Sequence, residues 1–563
     1  MAGSSRRADF RSARRELAWF SRGEPFLWLN AGGVTLSLLA VAGLVLLLAI
    51  NGLTHFWPAP LYEYTVDTPQ GPRTVIGARV QQQVISRQQA EEAGLAVGPG
   101  APTVSRLLVR KGNRDLGTGE FAWLLQSRVA AESVPPDLVR IERTEWGPAI
   151  GRLVALNTPS GRWRMEEDPL AGWQALQAAI ADVVALRERL SLLESERVRA
   201  INRSLERVRL EQRSLGDAEA SAVAQSLDEE RQQLLRDYGA VQSEMRVLRD
   251  SMDEARLLLA VADGQTVTLP LSSVVKAYRP NTMSTADKLE HWLVAVWEFL
   301  STDPREANSE GGVYPAIVGT VVMVLVMALL VTPFGVLAAV YLHEYARQDW
   351  KTRLIRIVVN NLAGVPSIVY GVFGLGFFIY VVGGEIDRLL FPEALPAPTF
   401  GAPGLLWASV TLALLTLPVV IVATEEGLAR IPASLREGSF ALGATRYETL
   451  RNIVLPIATP AMMTGVILAI ARAAGEVAPL MLVGVVKLAP ALPVDGQFPF
   501  LHLDQQFMHL GYHVFDVGFQ SSNTEAARPL VYATALLLVI LTVGLNIAAV
   551  VLRNRLRERY KSL

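Results

Sequence analysis

"EGSFALGATRYETLRNIVLP", residues 437–456, stands between two strongly apolar stretches and is itself largely polar. Its few apolar residues recur at helical spacing on either side of one glycine. Upstream, Leu428, Ile431 and Leu435 share one face of a helix predicted to continue through Phe440 and Leu442. Gly443 stops that helix, because glycine takes positive φ without steric cost. Thr445 then opens a second helix, and Glu448 three residues on completes a capping box. Tyr447, Leu450 and Val454 form its apolar stripe, and the helix is expected to end at Leu455-Pro456. Two short amphipathic helices at a sharp turn either pack on their own domain or dock into a partner's groove.

The flanks set the class. With 51% hydrophobic residues and a mean hydropathy of +0.28, the chain of 563 residues is more apolar than a typical soluble protein. Six stretches reach the roughly 20 residues that cross a bilayer: 29–52, 314–341, 355–382, 403–423, 459–486 and 530–552. Asn360, Asn361, Pro366 and Ser367 interrupt the third. Basic residues favour one side of this topology. Arg6, Arg7, Arg11, Arg14, Arg15 and Arg22 precede the first span; Arg347, Lys351 and Arg353 lie in the second loop. Arg430, Arg436, Arg446 and Arg451 lie in the fourth, and the tail 553–563 is basic. Residues 384–401 hold only Arg388, and 488–527 hold no Lys or Arg. Both termini are therefore expected in the cytoplasm. The first apolar run exceeds a signal-peptide core and reads as an anchor.

That topology puts residues 53–313 outside. Residues 60–168, rich in Val and Ile with Gly and Pro punctuation, predict a mixed α/β or β unit. Residues 168–261 predict an antiparallel coiled-coil hairpin. Leu234, Tyr238, Val241, Met245, Leu248 and Met252 make one heptad seam, and Val198, Ile201, Leu205, Val208 and Leu215 the other, with "SLGDAEAS" as the turn. A rigid spacer or an assembly surface is the plain reading of the hairpin. The net charge of -1 says nothing about partners, and the absence of cysteine excludes disulfides and thiolate chemistry.

Glu437, Gly443, Ile453, Leu455 and Pro456, at their spacing, resemble the "EAA" loop of bacterial ABC importer permeases. Gly438 and Ser439 depart from the alanines usual there, but both are small. The stretches "NNLAGVPSIVYGVFGLGFF", "TLPVVIVATEEGLARIPASLREGS" and "ARAAGEVAPLMLVGVV" are similar to the PstA-type permease subunits of phosphate importers, over roughly residues 310–563. The resemblance implies an α-helical integral membrane protein with six transmembrane helices of the type I importer kind, in a bacterial inner membrane. It implies a coupling loop at 425–456 that includes Glu437, Gly438, Ser439, Gly443, Thr445, Ile453, Leu455 and Pro456. The implied partners are a homologous second permease subunit, an ATPase dimer and a periplasmic phosphate-binding protein, with ATP and Mg on the ATPase and no cofactor here. No G-x-x-x-x-G-K-[ST] occurs in the chain, so ATP is not expected to bind it and no catalytic residue is expected.

For the substrate path the candidates are Arg472 and Glu476, four residues apart in the fifth span, with Asn360, Asn361 and Ser367 in the third. A mid-membrane Arg costs about 2.5–3.5 kcal/mol and so should face a wet cavity or an opposite charge. Guanidinium also suits a bidentate phosphate contact. Two readings of the pair stand: mutual neutralisation, or an anion contact that Glu476 holds until the path opens. The third-span residues read either as cavity lining or as helix packing. His502, His509 and His513 are expected on an amphipathic interfacial helix and not at a metal, since no Glu of H-E-x-x-H accompanies them. The alternatives are a permease for another oxyanion or small solute and, from a different class, a membrane sensor using the coiled coil.

Overall fold

The computed structural model describes residues 24–68, 71–92, 102–117, 119–214, 220–496, 498–521 and 524–561. The arginines before the first span and Leu215 lie outside them, as does most of the "SLGDAEAS" turn. Two bodies follow one another: a β-rich domain and a helical membrane body.

The β-rich domain begins where α1 (Glu24–Leu53) ends. Strands β1 (Leu61–Thr68), β2 (Gly71–Ser86), β3 (Thr103–Arg110), β4 (Phe121–Leu125) and β5 (Val129–Ser133) form an antiparallel sheet ordered β4-β3-β2-β1-β5. A second sheet starts with β6 (Leu138–Arg143), β7 (Ala149–Thr158) and β8 (Gly161–Arg164). The chain then leaves as a helical hairpin and returns as β9 (Arg256–Ala260), β10 (Thr266–Pro270) and β11 (Val274–Tyr278) to finish that sheet. The expectation of a contiguous 60–168 unit is therefore corrected. Strand β7 pairs with β9 from Arg152↔Ala260 to Asn157↔Arg256, about a hundred residues apart in sequence, which no local periodicity reveals. Leu156, Leu257 and Leu259 at that junction are fully buried.

The hairpin arms are α2 (Pro169–Ser214) and α3 (Ala220–Asp253). Asp168 caps α2 through the backbone N–H groups of Leu170 and Ala171, and Pro169 supplies the pre-set first turn. Leu193 of α2 packs with Val241, Met245 and Leu248 of α3. The pairs Arg189–Glu244 (2.8 Å), Arg249–Glu194 (2.7 Å) and Arg207–Glu230 (2.6 Å) run antiparallel along the arms. Helix α3 stops at Asp253, short of 261, because Ala255 to Val261 are spent on the sheet. Met252 likewise joins the sheet core rather than the seam. The first arm bends back over the membrane body. Arg213 donates to the carbonyls of Glu393 (2.9 Å) and Leu395 (3.0 Å), and Arg203 lies 3.5 Å from Asp495.

Helix α4 (Thr285–Ser301) leads into the membrane body. There follow α5 (Tyr314–Tyr345), α6 (Trp350–Leu362), α7 (Ser367–Leu390), α8 (Leu405–Ala429), α9 (Ala433–Ala441), α10 (Arg446–Gly475), α11 (Leu480–Val483), α12 (Leu510–Phe515) and α13 (Thr524–Lys561). Among the described residues seven helices are long and apolar enough to cross a membrane: α1, α2, α5, α7, α8, α10 and part of α13. Helix α2 is the exception in kind, since Leu176, Ile180 and Val183 bury against the second sheet and its remainder is Arg- and Glu-rich. Helices α5, α8 and α10 make the centre of the body around Met323, Met327, Leu412, Val466 and Ala473.

Two expected spans are redrawn. The stretch 355–382 is two helices, because Pro366 lacks an N–H and Val365 before it is steered out of the α region. The span expected at 459–486 ends as a helix at Gly475, with Glu476 already extended at φ −78°, ψ 132°.

Candidate functional site

The quoted stretch folds as a helix pair, with two corrections. Leu428 closes α8, and Pro432 separates it from α9, so the three residues Leu428, Ile431 and Leu435 do not share one helix. The second helix does not end at Leu455-Pro456. It passes through Pro456 into the span as one rod, α10, by opening a π turn at Leu450–Val454. A wide turn just before proline relieves the clash of its ring with the preceding turn.

Gly443 sits at φ +84°, and Thr445 and Glu448 cap each other. The Thr445 N–H donates to Glu448 Oε2 at 2.8 Å, and the Glu448 N–H to Thr445 Oγ1 at 3.3 Å. Across the turn, the hydroxyls of Ser439 and Thr449 meet at 2.8 Å, both buried. Ser439, read from sequence only as a small residue, is the tie between the two helices. Gly438 faces open space, so a side chain there meets nothing. Glu437 and Thr445 are exposed, Ile453, Leu455 and Pro456 half-buried. Leu442 at the tip is 92% exposed, with Phe440 and Tyr447 beside it.

The turn is anchored by ion pairs that sequence reading did not assign. Arg436 donates to Glu344 Oε1 (2.8 Å) and to the Leu428 carbonyl (3.1 Å). Arg356 donates to Glu425 Oε1 (3.2 Å) and to the Leu342 carbonyl (3.1 Å). The clue was available: charges of opposite sign flank the ends of α5, α6 and α8.

At the far end of α10, Arg472 Nε lies 3.4 Å from Glu476 Oε1, both partly accessible. Glu476 is beyond the helix end, so the pair straddles a helix terminus rather than one helical face. The broken start of α7 lies against the same segment. A Cβ on Gly371 would stand 2.7 Å from the Pro479 Cα, and one on Gly374 would stand 2.8 Å from Val483. Both glycines are required for that approach. Tyr370 donates to the Leu362 carbonyl at 2.7 Å, bridging the break between α6 and α7.

The other path candidates divide. Ser367 starts α7 and is half-buried, whereas Asn360 and Asn361 are exposed on α6. Among the described residues neither Asn side chain makes a hydrogen bond, and nothing joins them to Arg472. The histidine segment is also corrected. His509 caps α12 by accepting from the Gly511 N–H, and His513 lies 3.4 Å from Thr534 Oγ1. His502 lies 2.9 Å from Asp495. The segment is buried, not interfacial, because the Leu510 N–H finds Thr320 of α5 at 3.0 Å and Met508 packs over Gly319.

An integral body of apolar helices, a helix broken opposite a charged helix end, and a capped turn displayed at the other end of α10 define a membrane permease. Residues 331–558 match the family described as binding-protein-dependent transport system inner membrane component. The phosphate transport system permease protein PstA of Mycobacterium leprae is 38% identical over 239 residues, 42% of this chain and 69% of that one. PstA of Yersinia pestis is 32% identical over 253 residues, 45% of this chain and 75% of the other. The probable ABC transporter permease protein YqgH of Bacillus subtilis is 34% identical over 203 residues, 35% of this chain and 62% of the relative, so under two thirds of its length is spanned. The chain belongs to this permease family and is of the PstA type.

Proposed function

We propose that this chain is a permease subunit of an ATP-driven phosphate importer, working by alternating access. The observation that carries this reading is the continuity of α10. One helix of 30 residues, on the order of 45 Å long at 1.5 Å per residue, runs from the displayed turn to the Arg472–Glu476 pair. A push on the turn at Arg446 is therefore delivered to the ion pair along one continuous helix, through the π turn at Leu450–Val454 and past Pro460.

In this proposal the turn is the cytoplasmic coupling surface. Phe440, Leu442 and Tyr447 enter a cleft of an ATPase partner, which holds ATP and Mg, while Glu437 meets its rim. The Ser439–Thr449 tie makes α9 and α10 move as one piece, and the Arg436–Glu344 pair ties α9 to the end of α5. A homologous second permease subunit completes the path. Arg472 supplies a charge-assisted, fork-shaped donor to phosphate, and Glu476 neutralises it when the path is empty. Gly371 and Gly374 let α7 close against the 476–483 segment, so a shift there opens or seals the route. Both termini are cytoplasmic in the inner membrane. The β-rich domain is periplasmic, its hairpin a coiled coil resting on loops at 393–395 and 490–495, where a phosphate-binding protein would dock. Asn360 and Asn361 are exposed to the second subunit or to lipid.

Radiolabelled phosphate uptake into proteoliposomes, with the second permease, the ATPase and the binding protein present, tests this. ATP-dependent uptake that sulfate does not compete is expected, lost in Glu437→Lys while the complex still assembles and lost in Arg472→Gln. Full competition by sulfate would sink the substrate and leave the importer. Normal uptake in Glu437→Lys would sink the coupling surface.

A further inference from the structure

Where α1 meets the β-rich domain, two adjoining cavities share one wall, Trp57. The first, of about 420 Å³, is a shallow apolar groove lined by Ala49, Ile50 and Leu53 of α1 and by Leu289 and Trp292 of α4. The second, of about 110 Å³, lies beyond Trp57 under the sheets and is lined chiefly by charge: Arg110, Arg140, Lys276 and Arg305, with Glu142 and Glu298. Neither belongs to the transport path described above.

Helix α4 is built to lie beside a bilayer. Leu289, Leu293 and Trp297, at successive steps of four, form an exposed stripe, with Trp297 68% exposed and Leu293 56%. The helix is fixed beside that stripe and at its end: the Trp292 indole N–H donates to the Leu53 carbonyl at 2.8 Å, and Phe299 is buried between α5 and α13. The stripe is thus held at the level where α1, itself apolar and exposed along its length, leaves the membrane. Tryptophan and leucine on a helix in that position are the features of an interfacial helix.

The charged chamber has hydrogen-bonding capacity left over. Lys276 pairs with Glu298 (2.6 Å) and Glu142 (3.5 Å), and Arg110 with Glu310 (2.6 Å) and Glu120 (2.7 Å). Arg305 reaches Glu142 at 3.6 Å through one nitrogen, while its Nη1 is buried without a partner, as is Arg140 Nε. Buried N–H groups left unpaired are costly, so their presence together at one cavity calls for an acceptor. Across the chamber and the cavity adjoining it, the five cations Arg110, Arg114, Arg140, Lys276 and Arg305 are matched by the five carboxylates Glu120, Glu142, Glu298, Glu306 and Glu310. The chamber therefore offers donors rather than excess positive charge, which suits a singly charged phosphodiester better than a free dianion.

We infer that this ledge binds a phospholipid, with an acyl chain in the groove between α1 and α4 and its head-group phosphate turned past Trp57 toward Arg140 and Arg305. The site rests on reading α1 as a membrane span and not on the transported substrate, so uptake is not its readout.

The chain has no cysteine, so Leu293→Cys carries a single spin label in the full-length protein. In vesicles of phosphatidylethanolamine and phosphatidylglycerol, the label should collide with oxygen far more than with a water-soluble nickel chelate. A wet label overturns the proposal. A label shielded from both reagents also overturns it, since a protein partner then covers the stripe. Independently, native mass spectrometry of the detergent-purified chain should show retained phospholipid, lost in an Arg140→Gln/Arg305→Gln variant whose circular dichroism is unchanged. Equal retention in that variant overturns the head-group assignment. Displacement of the lipid by inorganic phosphate alone would do so too, assigning the chamber to the free anion.

Discussion

The β-rich domain hides its large apolar side chains, whereas the membrane body buries some and turns many others outward. In the sheets, Leu138, Ile141, Leu156 and Leu257 are fully buried, as water demands. In the membrane body the large apolar groups Leu329, Phe334 and Leu337 point outward, with Leu329 76% exposed. What is fully buried there includes Thr320, Ser409, Thr411, Thr416 and Thr424, with glycines where helices touch. Lipid gives no hydrophobic reason to bury a leucine, so close helix approach and hydroxyl-to-backbone bonds take over. Thr416, which donates to the Leu412 carbonyl at 2.8 Å, and Gly465, packed on α8, exemplify both.

That contrast can be broken by experiment, and the largest effect is expected at a glycine. A Cβ on Gly465 would stand 2.8 Å from the Ala423 Cβ, so Gly465→Leu should drive α8 and α10 apart. The expected outcome is loss of uptake and of cross-linking between those helices, even though the change adds apolar surface. Next, Leu156→Ala, a truncation in the water-facing domain, should cost about 2–5 kcal/mol in denaturant melts followed by tryptophan fluorescence. A smaller effect is expected from acid. His291, whose ring is tilted against that of Tyr278 with centroids 4.3 Å apart, has its pKa lowered by burial and then by Lys276. The unfolded chain takes up that proton near pH 6.5 while the folded one resists. Stability should therefore be whole above pH 6.5 and fall below it, and His291→Gln should flatten this part of the pH profile of thermal melts. The smallest effect belongs to Thr416→Val. Intramembrane hydrogen bonds average about 0.6 kcal/mol, so its melting in detergent should barely move. A large loss would show that burial of polar groups in the two regions obeys one rule after all.

Some of this was legible from residues alone. The apolar runs mark the spans because a bilayer sets a length of about 20 residues. Gly443, Thr445 and Glu448 fix a helix–turn–helix because capping is a local transaction among neighbours. The pattern of Glu437, Gly443 and Pro456 carries the family resemblance for the same reason.

Other features required the tertiary structure. Whether Pro456 ends a helix or is absorbed by a π turn depends on the span that continues beyond it. The role of Ser439 depends on Thr449 across the turn, and that of Gly371 and Gly374 on Pro479 and Val483 more than a hundred residues away. The completion of the second sheet by β9, the anchoring of the turn by Glu344, and the shared wall of Trp57 are likewise contacts between segments distant in sequence. Local periodicity reports which face of an element is apolar; only packing decides which other element that face meets.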